Sequence, residues 1–244
     1  MLYGVISDIH SNIEALNSVL DVLKNRNVEG YICCGDIVGY GPNPEECVET
    51  VSALPGLLCV SGNHDLGVAG TLSLKWFNTY ARESIEHTWK EMSVRSLRYL
   101  SLLPKLIKHD NFTLVHGSPR YPAEEYMLTP EQYLENADRW KTPVCFIGHS
   151  HLSVYFSQNG VRFPEISFLC EGKKLVLETD KRYMINPGSI GQPRDKNPKA
   201  SCGIYDTSGS FEIIRVEYDI TATREAMKKK NLAPILIERL GLGC

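Results

Sequence analysis

The chain has 244 residues, with 26 Lys and Arg against 29 Asp and Glu and 43% hydrophobic residues. That length suits one substantial core, and the composition excludes disordered, collagen-like and coiled-coil chains. No apolar run approaches the roughly 18 residues of a membrane helix, and Asp8 and His10 interrupt the opening segment where a secretory leader would be unbroken, so a cytoplasmic single domain over 1–244 is expected.

Leu2 to Ser7 reads as an apolar strand that runs into the polar Asp8-Ile9-His10. The spacing of Leu16, Val19, Leu20 and Leu23 predicts a helix over about 12–25, which Asn12 can cap. Gly30 to Cys34 is a buried strand, 35–44 a loop, about 45–54 a helix, and Leu57 to Val60 a strand that meets Ser61-Gly62-Asn63-His64-Asp65. Strands without charges need cover on both faces, so this alternation indicates a sheet clad in helices. From about Ser73 to Leu103 the pattern is helical, with Trp76 and Phe77 expected among the packing residues, and Pro104 ends it. Lys105 to His109 and Phe112 to Val115 read as a hairpin around Asp110-Asn111, its second strand delivering His116-Gly117. Thr129-Pro130-Glu131 starts a helix reaching about Arg139, and the strand Val144 to Ile147 empties into Gly148-His149-Ser150-His151.

After Leu152 the pattern becomes period two, at Val154 to Phe156, Lys174 to Leu177, Arg182 to Ile185, Ser201 to Asp206 and Phe211 to Glu217. The expectation is an α/β half joined without a linker to an antiparallel, β-rich half. A polar helix over about 222–229 and an amphipathic segment over about 235–240 close the chain, and Lys228-Lys229-Lys230 reads as a solvated helix face.

The eight cysteines contain no CxxC pair, and most lie in apolar runs, so they read as reduced, buried thiols. Histidine is more informative: of seven, His10, His64, His116, His149 and His151 directly follow strand-like runs. Open α/β sheets bind ligands outside the carboxyl ends of their strands. Asp8 and His10 can converge in a turn, and Asp36 can touch two cations at once, as in metal pairs about 3.5–4 Å apart. With Asn63, His116, His149 and His151 they form an N/O donor set suited to Mn, Fe, Zn, Ni or Co. Singly, either aspartate could cap a helix and each histidine could be a core-edge residue; the recurrence at five strand ends points to metal.

The ordered motifs Asp8-x-His10, Gly35-Asp36, Gly62-Asn63-His64-Asp65, His116-Gly117 and Gly148-His149-Ser150-His151 resemble the calcineurin-like metallophosphoesterase superfamily, in its small bacterial and archaeal branch, over about residues 1–190. The resemblance implies an α/β fold, a four-layer α/β/β/α sandwich with a dimetal site at its upper edge. It implies one metal on Asp8, His10, Asp36 and His151 and a second on Asp36, Asn63, His116 and His149, with Asp36 bridging. Ser150 departs mildly from the family's usual Thr but keeps the hydroxyl. The implied chemistry is attack on phosphorus by a hydroxide shared between two divalent cations. His64, oriented by Asp65, would stabilise the transition state or protonate the leaving oxygen. The plainer alternatives are that His64 only positions Asn63 and that Asp65 caps a helix.

The loops 39–44 and 186–194 resemble rim loops of this branch, and Arg194 or Arg120 could grip a phosphate oxygen. The expected function is a metal-dependent phosphodiesterase or phosphomonoesterase acting on a small molecule or nucleotide. Dinucleoside polyphosphate hydrolysis and protein serine/threonine dephosphorylation are the alternatives within the family, and a non-catalytic scaffold is disfavoured by the complete ligand set. The acidic balance argues against stable nucleic-acid binding, no dinucleotide or P-loop signature occurs, and self-association through the β-rich half is compatible with the sequence.

Overall fold

The computed structural model describes residues 1–244. The chain begins β1 (Leu2–Ile6), α1 (Ile13–Asn25), β2 (Gly30–Cys33), α2 (Pro44–Ser52), β3 (Leu57–Cys59) and α3 (Asn63–Val68). It continues through α4 (Thr79–Glu91), α5 (Val94–Leu102), β4 (Leu106–Lys108), β5 (Phe112–Val115), α6 (Pro130–Asn136) and β6 (Val144–Phe146). The remaining elements are β7 (Ser153–Asn159), β8 (Glu165–Phe168), β9 (Lys174–Val176), β10 (Lys181–Pro187), β11 (Ala200–Asp206), β12 (Ser210–Val216), α7 (Ile220–Lys229) and α8 (Pro234–Arg239).

These strands build two six-stranded sheets, ordered β3-β2-β1-β11-β12-β9 and β4-β5-β6-β10-β7-β8. Alternation along β1 shows how they stack. Tyr3 and Val5 join Ile32, Phe112, Phe146, Tyr205 and Phe211 in a core shared by both sheets, whereas Ile6 belongs to a second core with Leu16, Val19 and Leu23 of α1. On the far face of the second sheet, Cys145, Phe156 and Met184 pack with Tyr133 of α6 and Trp140. Helix, sheet, sheet and helix therefore succeed one another, which is the α/β/β/α sandwich.

The two halves of the chain interleave, a correction to the expected sequence of an α/β half and a β-rich half. β11 pairs antiparallel with β1, Leu2 opposite Asp206, so the late strands complete the first sheet. β4, β5 and β6, from the first half, lie in the second sheet, where β6 pairs with β10. Each β1 face buries apolar residues, so β1 needs neighbours on both edges, and β2 supplies only one.

Local chemistry accounts for the helix ends. Asn12 accepts the Ala15 N–H at 3.1 Å and so caps α1 as expected. The helical stretch 73–103 is broken at Met92-Ser93, where the Ser93 hydroxyl accepts the Ser96 N–H and starts α5. Trp76 is also a correction. It lies in a single 3-10 turn, Leu74–Trp76, and is largely exposed where helix packing was expected. β8 has no counterpart in the sequence reading: Glu165-Ile166-Ser167-Phe168 alternates, but over only four residues, and every one of them is exposed on an edge strand. All eight cysteines are free thiols, with only Cys170 and Cys244 exposed. No helix is long and apolar enough to cross a membrane.

Candidate metal centre

β1, β2 and β3 are parallel in one sheet, and β5 and β6 are parallel in the other. Their carboxyl ends deliver Asp8 and His10, Asp36, Asn63, His116, and His149 and His151 to adjacent loops. The loops are stitched together by main-chain bonds: the Asp8 N–H donates to Gly35 O, His10 N–H to Asp36 O, and Gly148 N–H to His116 O, all within 3.0 Å. Five of the seven candidate ligands, Asp8, His10, Asp36, His149 and His151, hold positive φ angles between 48° and 67°. That region costs a non-glycine residue about 1–2 kcal/mol, a strain that persists only where surroundings over-determine it.

Three imidazoles have their tautomer set by the fold. The Nδ1 of His10, His116 and His151 lies 3.1, 2.8 and 2.6 Å from the carbonyl oxygens of Val38, Cys34 and Gln192. A carbonyl only accepts, so each Nδ1 carries the hydrogen and each neutral Nε2 presents a lone pair. Those lone pairs face other acceptors. His10 Nε2 lies 3.1 Å from His151 Nε2, and His116 Nε2 lies 3.0 Å from Asn63 Oδ1 and 3.2 Å from His149 Nδ1. The carboxylates close in likewise: Asp8 Oδ1 is 3.3 Å from His151 Nε2, and Asp36 Oδ2 is 3.4 Å from His116 Nε2 and 3.7 Å from His10 Nε2.

Acceptors turned toward one another at such distances repel unless a proton or a metal cation lies between them. Donors about 2.1 Å from a common metal stand about 3.0–3.4 Å apart, which matches all of these separations except the 3.7 Å between Asp36 and His10. The donor set therefore fits divalent cations, in two groups: Asp8, His10 and His151, and Asp36, His116 and His149. His64 offers a ring nitrogen to a third overlapping group with His10 and Asp36.

The charges follow the same geometry. Burial pushes the Asp8 carboxyl up to about 7 and the His149 imidazole down to about 3. Burial also opposes a charge on His116, but the adjacent Asp36 and Asp8 lift it to about 10. The metal-free site thus holds protons on His116 and, near neutral pH, partly on Asp8, while against burial the neighbouring His116 keeps the Asp36 carboxyl well below the usual carboxylate range.

A family model for the calcineurin-like phosphoesterase superfamily domain matches residues 1–210. The chain belongs to that superfamily. It is 42% identical to an uncharacterised protein of Methanocaldococcus jannaschii over 99% of this chain and 98% of the relative. A metallophosphoesterase crystal structure from Sphaerobacter thermophilus matches with a TM-score of 0.91 and 37% identity, covering 100% of this chain and 99% of that one. A hypothetical protein from Pyrococcus horikoshii shares the fold, with a TM-score of 0.80 at 21% identity over 100% and 98% of the two chains. The chain is thus a phosphoesterase of the metal-dependent, hydrolytic kind, with Asp and His clusters able to hold metal.

The remaining residues singled out in this phosphoesterase part company. His64 lines a cleft over the donor set, its ring packed against Tyr40, His10 and Phe77 with centroids 4.4, 4.9 and 5.3 Å away. Its Nδ1 is buried with no partner, against Gly39, whose φ of +92° and close approach leave no room for a Cβ. Asp65 does not orient His64. Its carboxylate instead accepts three main-chain N–H groups, from Gly62 and Ile37 at 2.9 Å and Val38 at 3.2 Å, so it fastens the α3 N-terminus to the loop after Asp36. Arg120 is also redirected: its guanidinium is taken up by Glu125 and by Glu135 at 2.8 Å, and it does not line the cleft. Arg194 does line it, with no carboxylate partner and its Nε unpaired, held only by a bond to the Gln192 side chain at 3.1 Å.

Sequence reasoning missed two groups. Tyr126 stacks on His149 with centroids 3.8 Å apart, and nothing in its surrounding sequence marks it. Asn186, fully buried, donates to Gly148 O at 2.6 Å and Ser150 Oγ at 2.9 Å, and so shapes the loop that carries His149 and His151. Its Asn-Pro-Gly-Ser setting was the available signal.

Proposed function

We propose that this phosphoesterase hydrolyses phosphodiesters or phosphomonoesters of small molecules or nucleotides with two divalent cations drawn from Mn, Fe, Zn, Ni and Co. Asp8, His10, Asp36 and His151 would hold one, and Asp36, Asn63, His116 and His149 the other. Such a pair, when bound, makes a water nucleophilic at neutral pH and offsets charge growing on the phosphoryl oxygens. The carrying observation is the pair of facing lone pairs on His10 and His151 at 3.1 Å, each with its opposite nitrogen committed to a carbonyl.

The chain's own residues supply the rest. Asp36 presents Oδ2 to both groups while its Oδ1 accepts the His64 N–H at 2.8 Å, which orients the carboxylate for sharing. Arg194, the cleft's only arginine, is free to pair with a phosphoryl oxygen. His64 faces the same space, its ring positioned by packing, and would donate a proton or hydrogen bond to the leaving oxygen. Asp65 supports that site by fixing backbone, and Arg120 takes no part. The complete donor set argues against a scaffold of the same fold. Interleaved sheets support one domain over 1–244, and a net charge of -3 argues against stable nucleic-acid binding.

Chelated protein reloaded with Mn should take up about two ions per chain and hydrolyse bis-p-nitrophenyl phosphate, and Asp36→Ala should lose metal and rate together. A chain that binds no divalent ion, or an active Asp36→Ala variant, would overturn the proposal.

A further inference from the structure

The cleft changes character from floor to mouth. Its floor is Asp36, Asn63, His149 and His151, while its mouth carries the large aromatic side chains of Trp76 and Tyr126. Trp76 is 76% exposed and Tyr126 42% exposed, so neither ring is there to fill a core. Tyr126 is nonetheless fixed, because its stack on His149 lies at an interplanar angle of 21°. The cavity measures only about 120 Å³, whereas sites enclosing a whole drug-sized ligand measure about 300–1,000 Å³. The floor therefore has room for the reacting phosphate, and the group the phosphate carries must lie across the mouth.

The mouth also has polar groups to read that group's edge. Asn78 spends its amide oxygen on the Ala81 N–H at 3.0 Å, while its Nδ2 makes no bond within the chain. Glu124 is exposed and has no ion-pair partner. Two exposed aromatic faces beside one amide donor and one carboxylate acceptor match a flat heterocycle with its own donors and acceptors, and do not match an alkyl chain. From this arrangement we propose that the substrate carries a nucleobase, stacked at the mouth on Trp76 and Tyr126, which makes these two residues the specificity determinants of the cleft. The inference rests on the phosphoesterase reading above, since the phosphate on the floor sets where the base must lie.

The test is calorimetric binding of adenosine 5′-monophosphate and ribose 5-phosphate, two ligands that share the phosphate and ribose and differ by the base, to the Mn-loaded full chain. Adenosine 5′-monophosphate should bind about tenfold more tightly, the order expected for stacking one base on an aromatic side chain. Trp76→Ala should abolish most of that preference and Trp76→Phe should restore it, a pattern that simple loss of structure would not produce. Equal affinities, including no binding of either, or a preference undiminished in Trp76→Ala, would overturn the proposal. Bis-p-nitrophenyl phosphate hydrolysis separates the two failures. Equal affinities in a protein that hydrolyses it remove the base site alone, whereas loss of metal uptake and hydrolysis removes the phosphoesterase reading itself.

Discussion

Replacing Asn186 with aspartate exchanges one NH₂ for an oxygen in a side chain that is fully buried. The native amide donates to Gly148 O and Ser150 Oγ and accepts the Gly188 N–H at 2.9 Å. An ionised carboxylate keeps the last of these and can accept from the Ser150 hydroxyl once that turns round, but it faces a negative oxygen toward the Gly148 carbonyl. The lost bond to Gly148 and a buried charge with no cationic partner together cost about 3–5 kcal/mol. The substituted carboxyl can escape by taking a proton, which restores a donor toward Gly148, so its folded-state pKa rises above the unfolded value of about 3.9. The folded variant then binds more protons than the unfolded chain, and its stability relative to the native protein falls as pH rises from about 4 to 8. Because Gly148 and Ser150 flank His149, metal affinity should fall about 10- to 100-fold. Urea denaturation of both metal-free proteins at pH 5 and pH 8, with Mn titrations at pH 8, measures both effects. Coincident midpoints at the two pH values with unchanged metal affinity would show that the loop holds its shape without Asn186, and would refute the reasoning.

Three further outcomes follow from the site. His64→Ala should retain its metals while kcat falls about 10²- to 10⁴-fold; loss of metal with the rate, measured by elemental analysis, would instead make His64 a ligand through its group with His10 and Asp36. In the metal-free chain, against burial, the neighbouring Asp36 and Asp8 lift the His116 imidazole to about 10, above its usual 6.5, so stability from this group is present below about pH 6.5 and lost as pH rises toward 10. Metal must displace that proton, so Mn affinity should rise with pH and binding at pH 7.5 should acidify a weakly buffered solution; proton-neutral binding there would contradict the assignment of His116 as a ligand. Gly39→Ala should cost about 1–3 kcal/mol in thermal or urea denaturation and slow turnover, because the added methyl collides with His64 Nδ1 at a left-handed backbone position.

What could be read from the sequence was the convergence of chemistry. A polar Asp, Asn or His at the end of an apolar run has no reason to be there unless it is used, and the structure brings those of Asp8, Asp36, Asn63, His116, His149 and His151 together. What stayed hidden depended on other parts of the chain. Asp65 sits at a helix N-terminus, but that its oxygens also take the Ile37 and Val38 N–H groups is decided by a loop 27 residues or more away in sequence. Arg120 looked free because Glu125 and Glu135 approach it only once the 118–135 segment folds. Local pattern could not assign β11 to β1 in addition to its sequence neighbour β12, since every period-two strand offers the same face. Nor does composition foretell left-handed backbone at Asp8, His10 or Asp36, where propensity would place glycine.

The interleaving of the sheets also bears on the order in which the chain is made. Every candidate ligand has been synthesised by residue 151, yet the acceptor that sets the His151 tautomer is Gln192 O, and the Asp8 carbonyl is held by the Ser189 hydroxyl and the Gly191 N–H. β1, the strand that launches Asp8, waits for its second neighbour until residues 200–206 emerge. A nascent chain of 160 residues would therefore carry all the donors but lack the acceptor that orients His151 and the partners that hold the Asp8 carbonyl. The site is thus complete only where the earliest and latest strands meet.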